Sequence, residues 1–97
     1  MDKLKLEKAL LQKMNDFIEE NEINLDGKID INTRLIGSSS IFDSIELVSF
    51  IVEVEQQLDE EFDEQLQLAS ERAMSRRTSP FISIRTLTDY ILEVINE

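Results

Sequence analysis

The chain has no cysteine and no histidine. Without cysteine there is no thiol nucleophile, no disulfide and no Cys/His zinc site. Without histidine, Ser-His-Asp and Cys-His arrangements lack their general base. A serine activated by lysine is left formally open. Yet the lysines, Lys3, Lys5, Lys8, Lys13 and Lys28, all lie in the first third of the chain. A serine modified here is therefore expected to depend on another protein. No catalytic residue is assigned, and the chain is expected not to be an enzyme. Only two glycines and one proline punctuate 97 residues, which favours helices. No apolar run approaches the ~18 residues of a membrane span. The first residues, "MDKLKLEKALLQKM", are charged throughout and lack the apolar core of a signal peptide. The expectation is a soluble, cytoplasmic, monomeric protein with no membrane insertion.

Positive charge is also scarce, and its placement is uneven. The formal net charge is −11. Nucleic acid and anionic membrane surfaces are poor partners for such a chain, because phosphate contacts need Lys and Arg. From Leu35 to Glu71 there is no Lys or Arg, while Asp43, Glu46, Glu53, Glu55, Asp59, Glu60, Glu61, Asp63, Glu64 and Glu71 crowd the same stretch. Such a field attracts partners with basic faces and speeds their approach. The alternative is an acidic face that serves solubility alone.

A length of 97 residues fits one domain, 1–97, with a modest core. Leu6, Leu10, Met14, Phe17 and Ile18 form a helical stripe and predict a first helix over about Asp2 to Asn21. Residues Asn21 to Asp43 hold both glycines and predict a long loop, with Ile23, Leu25, Ile29, Ile31, Leu35 and Ile36 tucked onto the helices. A second helix is expected from Ser44 to about Asp59. Its apolar residues cover about half the helical wheel at the ~100° step, more than one packed surface needs. It is therefore either mostly buried or shows apolar surface to a visiting partner. A short helix is expected near Glu64 to Met74, and a last helix over about Thr86 to Glu97, with a Thr86–Asp89 capping pair. The predicted fold is all-α, a small bundle of three to four helices with a long first loop and an extended segment before the last helix.

Three motifs invite chemistry. "DGKID", Asp26 to Asp30, has the centre of a calcium-binding loop. With Gly27 at position six, however, Glu22 falls at position one and Thr33 at twelve, where an aspartate and a bidentate glutamate are required. No metal site is expected. Arg72, Arg76 and Arg77 form a basic group that suits a phosphate or acidic partner, or simply offsets the acidic run as the charged end of a short helix. Ser44, after Asp43, opens the second helix. Either Asp43 or Ser44 can cap it by accepting hydrogen bonds from first-turn N–H groups. A hydroxyl at a helix start is held by rigid backbone, and a phosphodiester attached there meets the positive end of the helix dipole.

The stretch "DSIELVSFIVEVEQQLDEEF" resembles the Asp-Ser-Leu-(Asp/Glu) signature of acyl and peptidyl carrier proteins, and "SPFISIRTLTDYI" resembles the segment that leads into that family's last helix. The similarity covers nearly the whole chain in order and approximate spacing. It departs at Ile45, where Leu is usual, in the longer "GSSSIFDS", at Ser49 and Gln56, where many carriers have acids, and in a longer segment from Phe62 to Phe81. The resemblance implies an acyl-carrier-protein-like bundle with 4′-phosphopantetheine joined to Ser44 and Asp43 positioning the site. It implies partner recognition by Glu46, Glu53 and Glu55, with Leu47, Val48, Phe50 and Ile51 framing an exposed helix start. The implied partners are a phosphopantetheinyl transferase and basic-surfaced enzymes that load, transfer or condense acyl groups. The departures point to a specialised carrier. An aminoacyl or peptidyl carrier, and a helical interaction module without a prosthetic group, are the other readings.

Overall fold

The computed structural model describes residues 2–23, 29–36, 41–68 and 79–96, with Ser44 described by its backbone only. Among the described residues there are three helices: α1 (Lys3–Glu20), α2 (Ser44–Phe62) and α3 (Ile84–Ile95). No strand occurs among the described residues. The radius of gyration is 12.6 Å, close to the ~12.5 Å expected of a compact chain this long.

Helix α1 begins at Asp2, whose side chain accepts the Leu4 N–H at 3.0 Å and so satisfies one of the free donors of the first turn. Its predicted stripe is the face it buries: Leu6, Leu10, Met14, Phe17 and Ile18 all lie in the core. It is the central helix, approached by both α2 and α3. Lys13 reaches Glu53 on α2 at 3.5 Å, and Lys3 reaches Asp89 on α3 at 3.1 Å.

The loop before α2 is fixed by backbone bonds to the start of α3. Leu35 N–H donates to the Ile82 carbonyl at 2.7 Å, and Arg85 N–H donates to the Ile31 carbonyl at 2.9 Å. Leu35 is fully buried, and Ile23, Ile29, Ile31 and Ile36 are half-buried, as their apolar character predicts. Leu25 and the centre of the calcium-loop look-alike, residues 24–28, lie outside the described residues.

Helix α3 differs from expectation at its start. The capping box pairs Ser83 with Thr86, not Thr86 with Asp89. Ser83 Oγ accepts Thr86 N–H at 3.3 Å and Thr86 Oγ1 accepts Ser83 N–H at 3.0 Å. Asp89 is free to meet Lys3 because the helix begins earlier, at Ile84.

The segment after α2 also differs. Residues 64–68 are irregular rather than helical. Asp63 takes a left-handed conformation, φ 54°, that ends α2 and turns the chain, a conformation aspartate tolerates better than most residues. Leu68 N–H then donates to the Glu55 carboxylate at 2.7 Å, so it is not available for the i→i−4 bond that a helix requires. The rest of the expected short helix, and Arg72, Arg76 and Arg77, lie outside the described residues.

Candidate functional site

The site is built at the start of α2. Asp43 is the N-cap: its Oδ1 accepts Glu46 N–H at 2.7 Å, and Glu46 Oε1 accepts Asp43 N–H at 2.9 Å. This reciprocal box satisfies two backbone donors at once. It also decides the question of which residue caps. Asp43 does so, and Ser44 is the first residue of the helix proper.

What holds this helix start in place is aromatic. Phe42 immediately precedes the cap and is buried. Its ring lies 5.2 Å from Phe17 and 5.3 Å from Phe50, and Phe17 and Phe50 are 5.7 Å apart. Edge and tilted pairs at such distances add to simple area burial. One residue on either side of the cap is therefore pinned to the core, and Ser44 sits on a fixed backbone between them.

The residues of α2 sort into two faces. Phe50, Ile51, Val54 and Leu58 are core. This corrects the expected surface role of Phe50 and Ile51: at 0% and 3% exposure neither is available to a partner. Their spacing of three and four places them on the face turned to α1 and the Phe17 ring. Leu47 is half-buried, and Val48 is exposed as expected. Ile45, Val48 and Val52 are 79%, 62% and 44% exposed. They fall at i, i+3 and i+7, one stripe about 10 Å long by the 1.5 Å rise. The half-wheel of apolar residues thus does both things open to it: part is buried, and part faces solvent.

The acids expected to meet partners have internal work as well. Glu46 closes the capping box, Glu53 pairs with Lys13, and Glu55 holds Leu68. All three are half-buried. Asp43 and Asp59, which lie along the line of the stripe, are exposed acids. Sequence reasoning did not single out Ile45, Val52 or Asp59. The signal was present in their i, i+7 and i+14 spacing, with Val48 at i+3, but only the packing shows which face of α2 points outward.

Among the described residues no group of acidic side chains is arranged to hold a metal ion. No helix among them is long and apolar enough to cross a membrane. No protein-family model, curated protein or solved structure matches the chain.

Proposed function

We propose that this protein is an acyl carrier whose Ser44 bears 4′-phosphopantetheine. The observation that carries the reading is the division of labour at the start of α2. Capping falls to Asp43, so Ser44 is not needed for it, and the serine stands at the first turn of a long helix. The flanking residues Asp43 and Ile45 are exposed, which leaves a modifying enzyme room to approach. A phosphodiester here meets the positive end of the helix dipole.

When attached, the arm supplies the thiol that holds an acyl group as a thioester. The chain has no thiol of its own. Its residues supply a fixed anchor point and an address, the division expected when a cofactor carries the chemistry. Asp43 and the Phe42 ring set the position of Ser44. Ile45, Val48 and the half-buried Leu47 form the apolar part of the address, and Asp43 and Glu46 its acidic part. The partners are a phosphopantetheinyl transferase and enzymes with basic surfaces that load or transfer the acyl group. The chain acts as their substrate and not as a catalyst. Brief, electrostatically steered encounters suit a carrier that leaves each partner in turn.

Co-expression with a phosphopantetheinyl transferase tests the reading. Intact-mass spectrometry is expected to show one added arm and thiol titration one new thiol, both absent in Ser44→Ala. An unchanged mass with several such transferases overturns the carrier and leaves a helical interaction module. If the arm is added, the loaded cargo separates an acyl carrier from an aminoacyl one.

A further inference from the structure

The first turn of α2 already holds negative charge. Asp43 and Glu46 exchange the two capping bonds there, at 2.7 and 2.9 Å, so both carboxylates are fixed beside Ser44. A phosphodiester on Ser44 adds one more negative charge to the same turn. The helix dipole offsets part of this, since its positive end acts as about half an elementary charge. Two fixed carboxylates and a phosphodiester exceed that, so the modified turn calls for a cation close by.

Several of the described cations are engaged elsewhere. Lys3 pairs with Asp89 on α3, and Lys13 pairs with Glu53, about 14 Å along α2 from Ser44 by helical rise. The Lys5 ammonium lies 6.0 Å from the centre of the Phe62 ring, at the opposite end of α2. Arg34 is placed differently. Its carbonyl accepts the Ile41 N–H at 3.2 Å, which sets its backbone beside a residue three positions before Ser44. The next residue, Leu35, is fully buried, and its N–H donates to the Ile82 carbonyl at 2.7 Å. The segment that carries Arg34 is thus fastened to the core. The Arg34 side chain is exposed, and its Nε donates to the Ile36 carbonyl at 3.3 Å. Its two terminal amino groups have no partner among the described residues, although the chain carries a net charge of −11.

We propose that Arg34 holds the phosphate of the arm: its terminal amino groups donate to the phosphodiester oxygens of the group on Ser44. Three residues of chain put Ser44 within about 10 Å of Ile41, a gap that the arginine side chain and a serine-linked phosphate close from opposite ends. Arginine suits the task because its planar fork matches two phosphate oxygens at once. The Nε bond to Ile36 holds the fork in advance, so little side-chain freedom is lost when the phosphate arrives. With the phosphate seated, its charge is balanced next to Asp43 and Glu46, and the arm leaves Ser44 in one direction instead of swinging about it. The inference rests on the carrier reading and names the residue that receives its phosphate.

The test attaches the arm to the full chain with a phosphopantetheinyl transferase and verifies it by intact mass. Phosphorus NMR then follows the phosphodiester, and proton–nitrogen NMR follows the Arg34 Nε–H. Attachment is expected to shift the Nε–H signal. The phosphorus signal is expected to move as salt rises, because an exposed pair is screened. In Arg34→Gln it is expected to start at the high-salt position and stay there. Arg34→Lys is expected to fall between, since lysine keeps the charge and loses the fork. Arg85→Gln removes another exposed arginine, at the start of α3, and is expected to behave like wild type. Three results overturn the proposal: an Nε–H signal in the wild type that ignores attachment, a phosphorus signal unchanged in Arg34→Gln, or an equal change in Arg85→Gln. The first of these needs no variant to fold. No added mass sinks the carrier reading and this inference with it, whereas an added arm with any of the three results sinks only the role of Arg34.

Discussion

The Glu55 carboxylate accepts the backbone N–H of Leu68, a residue 13 positions further along the chain, at 2.7 Å. Together with the buried Leu68 side chain, that bond holds the returning chain against α2 after the left-handed turn at Asp63. It lets the Leu68 side chain enter the core and sets Leu66 across from Val52. A residue whose charge suggested a role toward partners thus also shapes its own surface.

Removing the bond tests its weight. Glu55→Ala is expected to cost about 1–2 kcal/mol, since a charge-assisted bond is lost from a partly buried place. Glu55→Gln keeps an acceptor and is expected to cost less. Denaturant unfolding gives the stability, and hydrogen exchange at the Leu68 amide gives the local effect. Unchanged exchange at Leu68 in Glu55→Ala contradicts the assignment.

The cap at Asp43 has a separable charge and hydrogen bond. Asp43→Ala is expected to lose about 1 kcal/mol of stability. Asp43→Asn keeps an oxygen acceptor for Glu46 N–H and is expected to stay near wild type in thermal unfolding. If the carboxylate is part of the address, Asp43→Asn should nevertheless slow phosphopantetheine attachment, measured as the initial rate by intact mass.

The aromatic cluster predicts a contrast along α2. Phe50→Ala removes a fully buried ring that contacts Phe17 and Phe42 and is expected to cost about 3–5 kcal/mol. That is a large share of the ~5–15 kcal/mol typical of a whole domain. Val48→Ala, two residues away on the exposed face, is expected to stay within about 0.5 kcal/mol. Similar losses for the two would mean that the faces of α2 are misassigned.

Thr88 carries a prediction of opposite sign. It is fully buried on α3, and its hydroxyl oxygen has no hydrogen-bond partner among the described residues. A buried, unpaired hydroxyl costs about 1–3 kcal/mol. Thr88→Val keeps the branched shape and removes the oxygen, so it is expected to raise stability by about 1 kcal/mol. A lower midpoint in urea would show that the hydroxyl has a partner after all.

Much of the fold was legible because it depends on local periodicity. The stripe from Leu6 to Ile18 and the run from Leu87 to Ile95 gave two helices, and the Asp43-Ser44 pair marked the start of the third. The misreadings share a cause. The capping box at Ser83 and the irregular stretch after Asp63 depend on bonds to Thr86 and Glu55, and several residue types compete for each such bond. The assignment of Phe50 and Ile51 to a partner surface failed because a half-apolar wheel does not reveal which half is covered.

The amino-acid order alone determined that this protein is helical, strongly acidic, without a thiol or imidazole, and provided with a serine at a helix start, since these follow from composition and nearest-neighbour spacing. Only the tertiary structure decided that Asp43 caps and Ser44 does not, that Ile45, Val48 and Val52 face outward, and that Glu55 fastens the returning chain. The reason is that burial depends on which helix arrives opposite a given face. Here α1 and the Phe17–Phe42–Phe50 cluster cover one side of α2 and leave the other to solvent.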